Sequence, residues 1–304
     1  MPSDPAAEPR YRPPPALYPF PSRWCDVAGH RLHYLDEGPI EAGPTKSAAD
    51  GPALLFLHGN PSWSFLYRDL IRQLRGRWRC VAPDLPGLGL SATPPRALRP
   101  AEHAAVVAEF LDALGLDDLV LVGHDWGGPI GLAAALRRPA AVRGMVLANS
   151  FAWPLQGSWR MQVFSRLAGS WAAALASRCC NAFLAVGLRL AIRRRPIEPA
   201  VLDGYFGPFR ARARRRVMQR LARELLASRE FLAALERDLG TLAQQPALLC
   251  WGGRDPFIGA AERRHFERLF PHHDTLVLPA AGHFVPEDAP QAMAGAIASA
   301  VALW

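Results

Sequence analysis

Leu119-Val120-Leu121-Val122-Gly123-His124-Asp125-Trp126-Gly127-Gly128-Pro129-Ile130-Gly131-Leu132-Ala133-Ala134-Ala135-Leu136 reads as a strand, a sharp turn of small residues, and a helix. Glycines flank the central residue because such a turn holds it in a strained backbone conformation, packed between strand and helix. The turn is a nucleophile elbow with aspartate where serine usually stands. Asp125 is therefore expected to project alone into a site. A serine must lose a proton before it attacks a carbonyl, whereas a carboxylate is already ionised at neutral pH and displaces a leaving group from saturated carbon. Gly and Asp are also ordinary turn residues, so the reading depends on the rest of the chain.

Outward from the elbow, apolar strands alternate with amphipathic helices. Strands are expected at 53–57, 78–82, 119–122 and 144–148, and helices at 64–74, 101–114 and 129–136. Upstream, 23–27 and 30–35 alternate like a hairpin around Ala28-Gly29, and 39–52 reads as a mobile surface loop. This rhythm specifies a mostly parallel α/β sheet with helices on both faces. It breaks over 152–241, a helix-like stretch of Ala, Leu, Arg and aromatic residues, and resumes with strands at 247–251 and 275–278. The expected organisation is a Pro-rich arm over 1–22, a main domain over 23–151 and 242–304, and a helical cap over 152–241. No repeat at a solenoid or propeller period is present.

Of the 304 residues, half are hydrophobic and a fifth charged, which allows a large core and excludes global disorder. The five cysteines, Cys25, Cys80, Cys179, Cys180 and Cys250, are odd in number and lack Cys-x-x-Cys spacing, so neither a disulfide framework nor a metal site is indicated. The Pro-rich stretch up to Pro21 lacks the basic start and apolar run of a signal peptide; a cytoplasmic protein with a loose leading arm is expected. The net charge of +8 is concentrated in 153–240, where sixteen Arg face six Asp and Glu. Clusters such as Arg193-Arg194-Arg195 and Arg212-Ala213-Arg214-Arg215-Arg216 resemble nucleic-acid or anionic-membrane footprints. Lys46 is the chain's one lysine and no recognition motif accompanies the charge, so the arginines are read as a solvated face, with neither nucleic acid nor membrane as partner. A membrane span over 163–192 fails because Arg166, Arg178 and Arg189 interrupt it. The arm over 13–21 and the apolar cap are the candidate contacts of a homo-oligomer.

Ligands of open parallel sheets lie beyond the carboxyl ends of the strands. Four such loops carry polar groups: His58-Gly59-Asn60-Pro61-Ser62-Trp63, the elbow with Asp125, Gly252-Gly253-Arg254-Asp255-Pro256 after the cap, and Ala281-Gly282-His283-Phe284 after the last strand. Nucleophile, acid and base thus follow the chain order of the α/β hydrolases. In that order Asp255 stands in the acid's place, while the strand after the elbow helix ends in Asn149-Ser150-Phe151 with no acid. Glu287 and Asp288 read as caps of a final helix beginning near Ala289, and Asp84 as a structural turn residue.

His58-Gly59-Asn60-Pro61, Ala82-Pro83-Asp84-Leu85-Pro86-Gly87, the elbow from Gly123 to Gly128, and Gly282-His283-Phe284 with Glu287-Asp288-Ala289-Pro290 together resemble the haloalkane dehalogenases, from Arg23 to Trp304. The resemblance implies an α/β-hydrolase fold with an eight-stranded, mostly parallel sheet and an inserted cap. It implies cleavage of a carbon–halogen bond with water and no cofactor, the partners being a small halogenated hydrocarbon, water and a halide ion. Asp125 would form an alkyl ester, His283 would activate water to hydrolyse it, and Asp255 would orient the imidazole. The Trp126 indole N–H and the Asn60 amide N–H would hold the departing halide, and backbone N–H groups of Asn60 and Trp126 would form the oxyanion hole. Phe151, Trp153, Phe206, Phe209 and Phe284 are the candidate pocket wall. An epoxide hydrolase shares the elbow and the ester, but needs proton donors for the epoxide oxygen, and the expected cap contains only Tyr205. A fluoroacetate-type dehalogenase would need cations for its substrate, and a catalytically inactive hydrolase-fold binding protein remains a further alternative.

Overall fold

The computed structural model describes residues 11–39, 51–194 and 196–304. Most of the expected loop over 39–52, the first ten residues of the arm, and Arg195 of the basic cluster lie outside the described residues.

Among the described residues eight strands form one sheet in the order β1-β2-β4-β3-β5-β6-β7-β8. β1 (Arg23–Val27) and β2 (His30–Glu37) pair antiparallel across Ala28 and Gly29, both at positive φ, and β2 pairs antiparallel with β4 (Cys80–Pro83). β3 (Ala53–Leu57), β4, β5 (Leu119–Asp125), β6 (Val142–Ser150), β7 (Ala247–Gly252) and β8 (His273–Leu278) run parallel. Every residue of β3 and β5 is buried, as continuous apolar runs require when both faces of a parallel sheet are covered. The α/β-hydrolase sheet expected from the sequence is the sheet observed.

The helix expected at 64–74 begins as a 3-10 turn, Ser64–Tyr67, before α1 (Arg68–Leu74). α2 (Pro100–Ala113) and α3 (Gly127–Ala135) pack on one another. Between β6 and β7 come α4 (Trp159–Ala168), α5 (Trp171–Cys180), α6 (Ala182–Ala191), α7 (Pro199–Phe206), α8 (Arg212–Ala227) and α9 (Arg229–Asp238). α10 (Ala260–Leu269) joins β7 to β8; α11 (Val285–Asp288) and α12 (Pro290–Val301), which packs on α1, close the chain.

The described part of the arm, 11–22, is clamped rather than loose. Tyr18 and Phe20 are buried, with the Tyr18 ring against Trp63 and Phe65 and its hydroxyl 2.7 Å from Ser64 Oγ. The Tyr11 hydroxyl donates to the Asp203 carbonyl at 3.0 Å, so the arm ties the cap helix α7 to the main domain. Aromatic rings bury much area at low entropic cost, and that outweighs the surrounding prolines' lack of donors.

Candidate active site

The elbow is built by backbone proximity. Asp125 closes β5 at φ 49°, and α3 starts two residues later. A Cβ on Gly127 would fall 1.8 Å from the Leu57 carbonyl oxygen, and one on Gly59 would fall 2.3 Å from Asp125 Oδ1. Only glycine lets β3 and α3 approach the carboxylate from two sides. The Ser150 hydroxyl donates to the Asp125 carbonyl at 2.8 Å, and the Asn60 N–H donates to Asp125 Oδ1 at 2.7 Å. Asp125 is 7% exposed and stands two residues before the start of α3.

His283 stands between two carboxylates. Its Nδ1 lies 2.7 Å from Asp255 Oδ2, and its Nε2 lies 3.6 Å from Asp125 Oδ2, an ion pair just beyond hydrogen-bond length. Asp255 Oδ1 accepts the Phe257 N–H at 2.7 Å. Its Oδ2 also accepts Asn149 Nδ2 at 2.7 Å, while Asn149 Oδ1 takes the Gly252 N–H at 2.7 Å. Asn149, read from sequence only as the absence of an acid, is thus the amide that fixes the acid on the neighbouring strand. Behind the base, the buried His124 ring lies 2.9 Å from the His283 carbonyl oxygen through Nε2.

Burial opposes charge on all these groups, and their neighbours decide the result. Burial pushes Asp125 up, but the adjacent His283, the His124 ring and the Asn60 N–H together hold it below the usual carboxylate range. Burial likewise pushes His283 down; the charges of Asp255 and Asp125 and the bond to Asp255 override it and raise the imidazole to about 10. For His124, burial and the His283 charge outweigh the pull of Asp125, Asp255 and the His283 carbonyl, and lower it to about 4.

Asp125, His283, Asn60 and Trp126 line one end of an apolar cavity of about 300 Å³. Asn60 Nδ2 gives one hydrogen to the Met218 carbonyl of α8 at 3.0 Å and has a second to offer. Trp126 packs edge-on against Phe151, ring centroids 5.0 Å apart, and its indole borders the cavity beside Asp125. The walls include Pro61, Phe164, Phe183, Leu225, Phe257 and Phe284.

Of the five aromatic wall candidates, Phe284 lines this cavity and four do not. Phe151 lies behind Trp126, Trp153 stacks on His265 with centroids 3.9 Å apart, Phe209 is fully buried at the cap base, and Phe206 packs against the core. Phe151 and Trp153 lie in the loop after β6, and Phe206 and Phe209 in and just after α7, and which way each ring packs is not disclosed by residue type. The wall residues missed carried a signal: Phe183, Val186, Gly187 and Leu190 recur at i, i+3, i+4 and i+7 on α6, and Phe164, Leu167 and Ala168 do so on α4.

Glu287 and Asp288 do not cap α12, which starts after Ala289 without a side-chain cap bond. Glu287 is buried and takes both arms of Arg68, at 2.6 and 2.7 Å, and the Tyr205 hydroxyl at 2.8 Å. Asp288 accepts the N–H groups of Gly282, Arg193 and Arg194, joining the His283 loop to the end of α6. A guanidinium and three converging N–H groups are stronger partners than a single solvated helix end. Asp84 is buried and holds the Ser64 and Leu90 N–H groups and the His33 ring, a structural role.

This sheet, with an aspartate elbow, an acid after β7, a histidine after β8 and helices inserted over the carboxyl edge, defines an α/β hydrolase; the family model described as "alpha/beta hydrolase fold" matches residues 52–290. Within that class the chain belongs to the haloalkane dehalogenases, hydrolases acting on carbon–halide bonds: it is 42% identical to Haloalkane dehalogenase 2 of Mycobacterium tuberculosis over 94% of this chain and 97% of that protein. It is also similar to a cis-3-alkyl-4-alkyloxetan-2-one decarboxylase of Xanthomonas campestris pv. campestris, 32% identical over 92% of this chain and 95% of the relative. Among solved structures it superimposes on haloalkane dehalogenase DbeA from Bradyrhizobium elkani with a TM-score of 0.82 at 26% identity, covering 93% of this chain and 98% of the other.

Proposed function

We propose that Asp125 and His283 divide haloalkane hydrolysis into two displacements in one apolar cavity. In the first, an Asp125 carboxylate oxygen attacks the carbon bearing the halogen. A carbon–oxygen bond forms, and the halide departs with the carbon–halogen electron pair. The indole N–H of Trp126 and the free amide hydrogen of Asn60 receive that ion, since donors aimed at developing charge in a dry site act most strongly where the charge appears.

Ester formation then changes the base. In the free site two carboxylates hold His283 cationic; alkylation removes the charge of one, so the support for the imidazolium weakens and it releases its proton to solvent. Neutral His283 takes a proton from water, and hydroxide attacks the ester carbonyl carbon. The tetrahedral oxyanion sits at the backbone N–H groups of Asn60 and Trp126. Collapse expels the alkoxide, which His283 protonates, and the carboxylic acid returns its proton to His283. The net yield is alcohol, halide and the one proton released earlier. Asp255, held by Asn149, keeps Nδ1 protonated and Nε2 facing the ester.

The observation that carries this reading is a carboxylate at the end of an apolar cavity that the Trp126 indole and the Asn60 amide line beside it, with His283 3.6 Å from the carboxylate. Among the described residues no tyrosine lines the cavity, and Tyr205 donates to Glu287 instead, so epoxide opening lacks its acids. Among the described residues no arginine lines the cavity either, which disfavours a carboxylated substrate. The test is His283→Phe treated with 1,2-dibromoethane and analysed by intact mass and peptide mapping. A bromoethyl adduct on Asp125 is expected; a variant that stays unmodified overturns the proposal.

A further inference from the structure

Helices α4, α5 and α6 carry apolar stripes toward solvent. α4 exposes Trp159, Val163 and Leu167, α5 exposes Trp171 and Leu175, and α6 exposes Val186 and Leu190, each set at four-residue spacing. Trp171 is 77% exposed, Trp159 70% and Leu167 67%. Four-residue spacing stacks side chains on one helical stripe, and on a solvated helix the outward stripe is ordinarily polar. Large exposed apolar faces mark interaction surfaces.

Charge decides what this face fits. Arg160, Arg166, Arg178 and Arg189 stand on the same helices, and no Asp or Glu occurs between Asp125 and Glu198. Beside α5 lies a concave surface lined by Arg178, Arg212, Arg215, Arg216, Arg220 and Arg223. Arg220 pairs with Glu224, but Arg215 donates to the carbonyls of Ser177, Arg178, Phe209 and Arg210, and Arg223 to that of Gly169. Carbonyl partners orient these guanidinium groups without cancelling their charge. A second copy of the chain is a poor occupant, because a two-fold interface would set this cationic face against itself. An anionic lipid surface complements it in both respects: phosphates for the arginines, and an apolar interior for Trp, Leu and Val.

The face is continuous with the active-site mouth, since Leu167, Val186 and Leu190 also line the cavity. We propose that the outer face of α4–α6 docks on an anionic membrane surface, and that the haloalkane enters the Asp125 cavity from the lipid phase. The second clause rests on the hydrolytic reading of that cavity; the docking does not. The helices would lie on the surface, because no single described helix is long and apolar enough to cross a membrane and the apolar pair α5–α6 is bent by 94°.

The test is flotation of the full chain with phosphatidylglycerol–phosphatidylcholine vesicles and with phosphatidylcholine alone, at low and high salt. Binding to the anionic vesicles should exceed binding to the neutral ones by at least about tenfold and fall with salt. Trp159→Ser with Trp171→Ser should lower it about tenfold, while bromide release from 1,2-dibromoethane in vesicle-free buffer stays at the unsubstituted rate. Absent binding, binding indifferent to lipid charge, or undiminished binding of the double variant overturns the docking. So does a dimer that the double variant abolishes, which would assign the face to a second copy. Docking without bromide release from any bromoalkane overturns the hydrolytic reading and leaves the docking standing.

Discussion

The carboxyl edge of the sheet and the outer cap helices are held by different forces. At the edge, Asp125, Asp255, His283 and Asn149 are tied by hydrogen bonds of 2.7 to 2.8 Å to one another and to backbone at the ends of β3, β5, β6 and β7. In α4–α6 the side chains that line the cavity are, apart from Ser177, apolar and held by packing, and several reach solvent. Groups that must hold a reacting atom within a fraction of an ångström sit on strand ends locked by polar networks; the wall that selects what arrives sits on helices where size and shape suffice. Changes at the edge should therefore be steep and nearly independent of substrate, and changes in the cap shallow and substrate-dependent.

The steepest should be Asp125→Asn, which keeps the shape of the elbow and removes the nucleophile. Bromide release should fall by about 10⁴-fold or more, as when a covalent catalyst loses its attacking group. A variant within tenfold of the parent would break the distinction at its root. Asp255→Asn should come next, since it removes the strongest support of the imidazolium and leaves Nδ1 facing an amide. A loss of about 10²- to 10⁴-fold is expected, concentrated in ester hydrolysis. Rapid quench should show a preserved burst of bromide followed by slow turnover, and loss of the burst itself would place Asp255 in the first displacement.

The two regions also differed in how much the sequence disclosed. β3 runs from Ala53 to Leu57, as its apolar run indicates, and the loops holding Asn60, Asp125, Asp255 and His283 meet at one cavity because the parallel topology brings strand ends together. A continuous apolar run with glycine nearby is a local property and is visible in a single chain. The contributions of Asn149 and Glu287 were not visible, because each depends on a partner more than a hundred residues away: Asp255 for one and Arg68 for the other. In the cap, Phe164 and Phe183 were less conspicuous than Trp153 and Phe209. Which face of a helix looks inward is decided by packing on the main domain, not by residue type.

Acid should separate buried histidines with partners from those without. Burial, with a smaller push from His58, lowers His103 to about 3, and both of its ring nitrogens lack a partner. His124 is lowered to about 4. For a histidine with a depressed folded pKa, the neutral form is the folded one. Its contribution is present above the unfolded pKa of about 6.5 and is lost as the pH falls from there toward 3 or 4. His283 has the opposite sign: its contribution is present below about 6.5 and is lost as the pH rises toward about 10. Replacing His103 by Leu removes one acid-sensitive group that gives no bond in return. Melting curves of parent and His103→Leu should lie close together at pH 7.5 and separate by about 2 kcal/mol at pH 5 in favour of the variant. Parallel behaviour across that interval would show that His103 takes up its proton in the folded state.

The mildest change tests the cap's side of the comparison directly. Val186 lies on α6 at the cavity mouth and is 55% exposed, so a larger side chain there narrows the passage without displacing a buried neighbour. Val186→Phe should leave kcat for 1,2-dibromoethane nearly unchanged, because nothing bonded to Asp125, His283, Asn60 or Trp126 moves. For a bulky cyclic substrate such as bromocyclohexane, kcat/KM should fall by about tenfold, the scale on which apolar walls discriminate by a methylene or two. An equal loss for both substrates would mean that α6 helps to position the catalytic groups. The division between a rigid edge that performs the chemistry and a packed cap that admits the substrate would then fail where the two meet, at the Arg193 and Arg194 N–H groups after α6 that donate to Asp288.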